Sequence, residues 1–277
     1  MIPTLRIAPM TVADLGLALD WAAEEGWNPG LDDAAAFHAA DPGGFLMGWF
    51  GDTPVAAISV VRHSPSFAFL GLFICHPEWR GRGHGRALWQ AGLALAGDRT
   101  IGLDGVVAQQ DNYRRAGFVA VSRTIRHAGG PAPAPADGLT PCDAAMAAAL
   151  DREATGVERP RFLHAWLGSA PTRRSLGLAR DGRTVGFGTV RRCRAGTKVG
   201  PLTAASADDA QRLLAALAGT FADSPLILDV PESNGTAMEM SERFGLKPVF
   251  ETARMYRGRP PAARWDLSWG IATLELG

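Results

Sequence analysis

The spacing of hydrophobic positions predicts a series of alternating strands and helices in the first half of the chain. Residues 5–7 read as a strand, and residues 11–24 carry apolar positions at helical period. Thr11 and Asp14 have the spacing of a capping box at the start of that helix. The remaining predicted elements are a hairpin of residues 45–50 and 55–61, a strand over 67–75, a helix from about 83 to 96, a strand around 101, a short helix through Tyr113 and a strand from about Phe118.

The second half repeats much of this order. Residues 129–138 are too rich in Pro, Ala and Gly for an element interior, so they predict a linker between a domain at 1–128 and a domain at 139–277. After a first helix, the second domain is predicted to contain strands over 175–179, 184–191 and 198–202, a helix over 208–217, a strand over 226–230, a helix over 234–244 and further strands.

The two halves share a sparse residue pattern. Gly117-Phe118 followed by Arg126 aligns with Gly245-Leu246 followed by Arg254 at one constant offset. Such a match indicates an internal duplication. Chance similarity between Ala-rich helices is the alternative interpretation.

Composition limits the classes of function. The 277 residues are 47% hydrophobic, and 28 basic residues balance 28 acidic ones, so no overall field favours nucleic acid or an anionic membrane. Three separated cysteines predict neither a disulfide framework nor a metal site. Without a signal-like start or an apolar run of roughly 20 residues, a cytoplasmic protein is expected.

A glycine-rich loop carries the strongest chemical signal. A buried strand ends at Cys75, His76-Pro77 breaks it, and the loop 80–85 opens directly into a helix. The first N–H groups of a helix lack intrahelical partners, and the helix dipole adds about half a positive charge there. Glycines allow phosphate groups to approach the backbone closely, and the arginine side chains add positive charge. The loop therefore predicts a pyrophosphate site.

Other glycine motifs fit less well. A Walker loop requires a Gly-Lys-Ser/Thr ending that the chain does not supply. The dinucleotide fingerprint fails because Arg86 follows Gly85, although Asp104 lies at a suitable distance downstream. A purely structural turn would not require arginine and glycine to alternate between a buried strand and a helix.

Two motifs make the first half resemble the GNAT superfamily of acyl-CoA N-acetyltransferases. Residues 74–85 match its pyrophosphate motif, RxxGxG after a strand and a Pro, and Tyr113 lies four residues before Gly117-Phe118 as in its second signature. The resemblance covers roughly residues 5–127. Val106 departs from it, because the family usually has Asn there; Gln109 and Gln110 lie nearby.

The resemblance implies a fold and a co-substrate. The expected fold is α/β in the broad sense, with a mixed, mostly antiparallel sheet flanked by helices, and two GNAT-like domains in tandem. Acetyl-CoA is the expected acyl donor, held where the strand through Cys75 separates from the strand through Leu103. The residues implied to bind it are Phe73, Ile74, Cys75, Arg80, Gly81, Arg82, Gly83, His84, Gly85 and Arg86.

The resemblance also implies direct attack by an amine. Tyr113 would give its phenolic proton to the departing thiolate. Glu25 is the first choice of base because the loop containing it walls the acceptor pocket in similar proteins; His76, Asp104 or water are alternatives. Trp27, Asn28 and Asp104 are the predicted substrate contacts, and no metal is expected.

The second half resembles a degenerate copy. Alignment of the helices places Ala205 opposite Arg80, Asp208 opposite Gly83 and Ser241 opposite Tyr113, so this half is not expected to bind acyl-CoA. We hypothesise that it completes the acceptor site, with Arg254, Tyr256, Trp265 or Trp269 as contacts.

The sequence therefore predicts an acetyl-CoA-dependent N-acetyltransferase acting on a primary amine of a small molecule, as a monomer or homodimer. A non-catalytic acyl-CoA-binding or sensing module is the alternative, and a protein with only a vestigial site is a weaker one. Neither nucleic acid nor a membrane is an expected partner.

Overall fold

A computed structural model describes residues 4–130, 138–221 and 224–277. Most of the predicted linker 129–138 lies outside these residues. The strands are β1 (Leu5–Pro9), β2 (Phe45–Phe50), β3 (Thr53–Arg62), β4 (Phe67–Cys75), β5 (Thr100–Val106), β6 (Val119–Gly129), β7 (Leu139–Pro141), β8 (Arg173–Arg180), β9 (Arg183–Arg192), β10 (Thr197–Ala204), β11 (Leu226–Pro231), β12 (Lys247–Arg257) and β13 (Ser268–Gly270). The α-helices are α1 (Val12–Glu24), α2 (Asp33–Ala40), α3 (His84–Ala96), α4 (Gln110–Arg115), α5 (Ala144–Thr155), α6 (Pro160–Leu167), α7 (Ala207–Thr220) and α8 (Gly235–Arg243).

Most predicted elements are confirmed, with boundaries shifted by a few residues. The capping box at Thr11 and Asp14 forms as predicted, and β4 has its predicted bounds. The sequence did not predict α2, and the first helix of the second half is a pair, α5 and α6.

The described strands form one sheet with the order β1-β2-β3-β4-β5-β12-β6-β11-β10-β9-β8-β7, and β13 pairs with β10. Pairing is antiparallel except between β4 and β5 and between β10 and β11. The predicted mixed, mostly antiparallel sheet is therefore confirmed.

The last long strand of each half is exchanged between the halves. β12 lies between β5 and β6, while β6 lies between β12 and β11. Each half thus inserts a strand beside the other half's parallel pair, and a single sheet runs through both.

Two buried ion pairs connect each exchanged strand to the half of the chain into which it is inserted. Arg126 on β6 pairs with Asp229 on β11 at 2.7 Å, and Arg254 on β12 pairs with Asp104 on β5 at 2.7 Å. In one pair the arginine comes from the first half and the aspartate from the second, and in the other pair these origins are reversed. Removing one partner of such a pair would leave a buried charge uncompensated.

Helices cover both faces of the sheet. In β3, Ala56 and Ile58 belong to the core with α3, whereas Ala57 and Val61 belong to the core with α1, α2, α5 and α6, as strand alternation requires. Along the second of these cores, Phe37 of α2 stacks on Trp166 of α6 at 5.8 Å, so the helices of the two halves share one interior.

Candidate active site

A gap opens in the sheet where β4 and β5 separate. Their parallel pairing runs from Phe67 and Thr100 to Leu70 and Leu103 and then stops. Leu72 has a φ of 46°, in the left-handed region, and the register with β3 shifts at this point. This bulge turns β4 away from β5, because an extra residue bends the strand that carries it.

A cavity lies at this gap. Both strands, the loop after α1, helix α4, strand β12 and residues 274–275 contribute to its walls. Its lining is Trp27, Leu70, Gly71, Leu72, Phe73, Leu103, Asp104, Val106, Tyr113, Phe250, Thr252, Leu274 and Glu275. Residues from both halves of the chain therefore enclose one cavity.

The glycine loop has the geometry of an anion site. Gly81 and Gly83 have φ values of 76° and 86°, which favour glycine, and a Cβ at either would meet no other described heavy atom within 4 Å. Gly83 caps α3 without a side-chain hydrogen bond from the described residues, and the first turn of α3 holds no acidic residue. The loop can therefore present backbone N–H groups to a phosphate.

The arginines of the loop differ in their contacts. Arg80 donates from Nε to the carbonyl of Cys75 at 2.9 Å, which fixes its stem against the end of β4. The guanidinium of Arg82 lies over the ring of Trp79, 4.9 Å from its centroid. Arg86 is exposed at the start of α3, and His84 packs beside Phe50.

Glu25, the predicted base, does not line the cavity. Its Oε1 accepts from Nη2 of Arg80 at 2.5 Å, and both side chains are substantially exposed. The loop after α1 is therefore joined to the glycine loop through this pair. The assignment of Glu25 as base stays a prediction, and the position of its carboxylate does not favour it.

Tyr113, the predicted proton donor, lines the cavity at the gap. Its ring is 8% exposed, stacks on Trp89 at 5.6 Å and faces the edge of Phe118. Burial raises the pKa of Tyr113 to about 12. The phenol therefore remains protonated at neutral pH and keeps a proton to donate.

The predicted substrate residues separate into three environments. Trp27 lines the cavity, as predicted for an acceptor contact. Asn28 instead exchanges two hydrogen bonds with the backbone of Ala195, at 2.7 and 3.1 Å, and ties its loop to the second half. Asp104 lines the cavity, but both its oxygens accept from Arg254.

The pKa values of the two buried carboxyl groups, Asp104 and Asp229, are shifted in opposite directions. Burial raises the pKa of Asp104, against the opposing effect of Arg254. Burial acts in the same direction on Asp229, but Arg126 and Lys198 together hold its pKa below the usual range. Asp104 is thus a paired structural carboxylate, which does not favour its role as a free base.

The equivalent gap of the second half is filled. β10 and β11 pair only from Thr197 and Leu226 to Val199 and Leu228, and β13 then pairs with β10. At the start of α7, Ser206 caps the helix and donates to Asp209, which also binds Arg180. The second half therefore keeps the fold, but β13 lies beside β10 at its gap and the helix that follows β10 is capped by Ser206.

The four residues predicted to complete the acceptor site do not lie in one place. Arg254, Tyr256 and Trp265 line a second cavity on the side of Phe67 and Phe69. Trp269 is buried and donates from Nε1 to the carbonyl of Ala204 at 3.0 Å. Trp269 therefore belongs to the core of the second half.

Comparisons with known proteins agree with this geometry. The "Acetyltransferase (GNAT) family" profile matches residues 14–119, and the "Acetyltransferase (GNAT) domain" profile matches residues 147–270. The chain is 30% identical to the holothin acyltransferase of a Pseudoalteromonas species over 275 residues, which cover 97% of this chain and 93% of that protein. The chain belongs to the GNAT family.

Solved GNAT structures show the same fold. A candidate acetyltransferase from Pyrococcus horikoshii matches with a TM-score of 0.83 at 23% identity, covering 99% of this chain and 96% of its own. A tandem GNAT protein from the clavulanic acid biosynthesis pathway matches with a TM-score of 0.63 at 17% identity, covering 91% and 98%. The tandem arrangement predicted from the sequence is therefore confirmed.

Within residues 4–130, 138–221 and 224–277, no group of three or more His, Cys, Asp or Glu side chains could hold a metal ion. No helix in these same ranges has both the length and the apolar character to cross a bilayer.

The sequence did not predict several residues that shape or line this cavity. Gly71 and Leu72 shape the gap, Phe250 and Thr252 reach it from β12, and Glu275 reaches it from the segment after β13. The positive φ at Leu72 has no sequence signal, because leucine rarely adopts it. Glu275 lies in no motif.

Proposed function

We propose that the chain is an N-acetyltransferase that moves an acetyl group from acetyl-CoA to a primary amine of a small molecule. One observation supports this most strongly. An uncapped, glycine-rich helix start lies beside the gap between β4 and β5, into which no described strand is inserted, and Tyr113 lines the cavity at that gap.

The residues of the first half would hold the acyl donor. The loop of Arg80, Gly81, Arg82, Gly83, His84, Gly85 and Arg86 would bind the pyrophosphate, and the edge of β4 at Phe73, Ile74 and Cys75 would bind the pantetheine arm and the thioester carbonyl. A backbone N–H near the bulge would stabilise the developing oxyanion by a few kcal/mol. Tyr113 would protonate the leaving sulfur.

The domain roles follow from this assignment. Residues 1–128 would supply the acetyl-CoA site and the proton donor, and residues 139–277 would complete the acceptor side through Phe250, Thr252 and Glu275. Holothin is the first acceptor to test, because the similar Pseudoalteromonas enzyme is named for it.

The proposal is tested by titration calorimetry with acetyl-CoA. The wild type should bind one equivalent, and Gly83→Asp should abolish binding because its carboxylate would lie where the phosphates bind. Gly182→Asp is the matched control: Gly182 also has a positive φ, 73°, and a Cβ there meets no described neighbour within 4 Å, so the backbone cost is similar.

Binding should be followed by a transfer assay that measures release of the CoA thiol with holothin and a panel of primary amines. Saturable binding with no transfer to any amine would instead support a non-catalytic acyl-CoA-binding module. Binding that survives Gly83→Asp would remove the loop from the site.

A further inference from the structure

Glu275 is held against the bulge of β4. A Cβ at Gly71 would lie 2.2 Å from the carbonyl oxygen of Glu275 and 2.8 Å from its Cα, so this contact requires glycine. The backbone N–H of Glu275 donates to Oγ1 of Thr273 at 2.9 Å. The segment 271–277 is therefore seated directly beside Leu72, where β4 leaves β5.

Only one of the two carboxylate oxygens of Glu275 has a hydrogen-bond partner among the described residues. Oγ1 of Thr273 donates to Oε2, but Oε1 is buried and has no hydrogen-bond partner among the described residues. The residue is 2% exposed and lines the same cavity as Tyr113. A buried acceptor oxygen without a donor is costly, so its presence at a cavity indicates a place for a ligand's donor group.

The other buried carboxylates near the gap are already engaged. Asp104 is bound by Arg254, and Asp229 is bound by Arg126 and lies 3.8 Å from Lys198. Although burial acts to lower the pKa of Arg126, Asp229 raises it and Glu275 adds to that effect, so Glu275 lies within the electrostatic reach of this network. Glu275 is the acidic residue of the cavity lining that keeps a free oxygen.

We infer that Glu275 binds the acceptor's ammonium group and takes its proton, so that the second half supplies the base for the reaction proposed above. Glu275 Oε1 takes one proton from the ammonium and leaves a neutral amine. The amine nitrogen then bonds to the thioester carbonyl carbon, and the C–S bond breaks with its electron pair on sulfur.

The remaining protons balance. Tyr113 gives its phenolic proton to the sulfur, and the proton that the nitrogen must still lose returns through solvent to the Tyr113 oxygen. Glu275 releases its proton to solvent. The products are the amide, the CoA thiol and one proton.

The inference is tested with Glu275→Gln and two amines in the transfer assay. Benzylamine enters as an ammonium ion at neutral pH and requires a base, whereas hydroxylamine is already neutral. Glu275→Gln should lower kcat for benzylamine by about 10²-fold, the usual contribution of a general base, and leave transfer to hydroxylamine and the binding of acetyl-CoA unchanged.

Two further variants complete the design. Glu275→Asp keeps the carboxylate and should retain part of the benzylamine activity even if the glutamine variant folds poorly. Glu153→Gln is the matched control, because Glu153 is a surface carboxylate on α5 paired with Arg264.

Each result decides the question. Equal losses with both amines would make Glu275 a structural residue, and unchanged benzylamine activity in Glu275→Gln would remove it from the reaction; either overturns the inference alone. A wild type that binds no acetyl-CoA, or that acetylates neither holothin nor any amine of the panel, these two included, would overturn the proposed function itself.

Discussion

The chemistry of Tyr113 follows from the rings around it. Trp89 and Phe118 exclude water from the phenol, and this burial raises its pKa to about 12. Desolvation disfavours the phenolate, so the group keeps its proton until it is given to an atom in the cavity. The raised pKa keeps the phenol in the protonated form that a donor requires, but it also makes the phenol a weaker acid than a free thiol.

We expect Tyr113→Phe to lower kcat by about 10²-fold while leaving the dissociation constant of acetyl-CoA unchanged, because only proton transfer is removed. The assay is steady-state release of the CoA thiol, paired with calorimetry. Tyr256→Phe is a matched control, since Tyr256 is the chain's other tyrosine and lines the second cavity. Full activity of Tyr113→Phe would exclude the phenol as the donor.

His63 couples stability to pH. Its ring packs against Phe67 and Phe162, its Nε2 contacts the carbonyl of Leu276 at 2.8 Å, and burial followed by the charge of Arg159 lowers its pKa from 6.5 to about 4. The folded protein therefore holds His63 neutral, while the unfolded chain takes up a proton below pH 6.5.

The contribution of neutral His63 to the stability of the folded protein is present in full above pH 6.5 and is lost as the pH falls toward 4. Because the His63 side chain is only partly buried, we expect a loss of about 1 to 2 kcal/mol in the free energy of unfolding over this range. Urea unfolding at pH 7.5 and pH 5 should show a smaller difference for His63→Gln than for the wild type. His164→Gln, at an exposed position on α6, should behave as the wild type does; identical pH responses in all three proteins would contradict the assignment.

At the scale of elements, β13 explains why the two gaps of the described sheet differ. Both halves contain a parallel pair that separates after a few residues, at β4–β5 and at β10–β11. In the second half β13 occupies the space beside β10, and Ile271 donates to the carbonyl of Asp229 beyond it. The following residues then cross to the first half, so the element that closes one gap delivers Glu275 to the other.

Local sequence patterns predict elements whose partners are close in the chain. The apolar runs of β3 and β4, the helical period of α3 and the glycine loop between β4 and α3 are properties of contiguous residues, and these elements are found where predicted. Helix α2 was missed because its eight residues are mostly alanine and show little difference between its faces. The exchange of β6 and β12 could not be predicted, since a strand has the same alternation whichever neighbour it pairs with.

The same distinction applies to the candidate site. Tyr113 and the loop 80–86 belong to motifs with fixed spacing, whereas Glu275 reaches the cavity from about 200 residues along the chain. Its position depends on the close contact with Gly71, which no local pattern describes. The sequence did not show that Glu25 forms an ion pair with Arg80, because an ion pair between two loops is a tertiary contact.

For the whole molecule, strand exchange makes the two halves one folding unit. β6 and β12 contact each other along most of their length, and each also pairs with the other half's parallel strand. The buried pairs Arg126–Asp229 and Arg254–Asp104 cross the same boundary twice. A chain ending at residue 130 would expose the edge of β5 and leave Asp104 buried without Arg254, both of which destabilise the folded state.

We therefore expect that neither half folds alone but that the two remain associated after the chain is cut between them. A protease site inserted within 131–137 allows this test: after cleavage, the fragments should elute together in size-exclusion chromatography and still bind acetyl-CoA. Residues 1–130 expressed alone should aggregate or unfold, and co-expression with 138–277 should restore binding. A matched insertion in the β8–β9 turn at Asp181-Gly182, left uncut, controls for the added residues. A monomeric, folded 1–130 fragment that binds acetyl-CoA as the whole chain does would show that the exchanged strand is dispensable, because binding would then require nothing from β12.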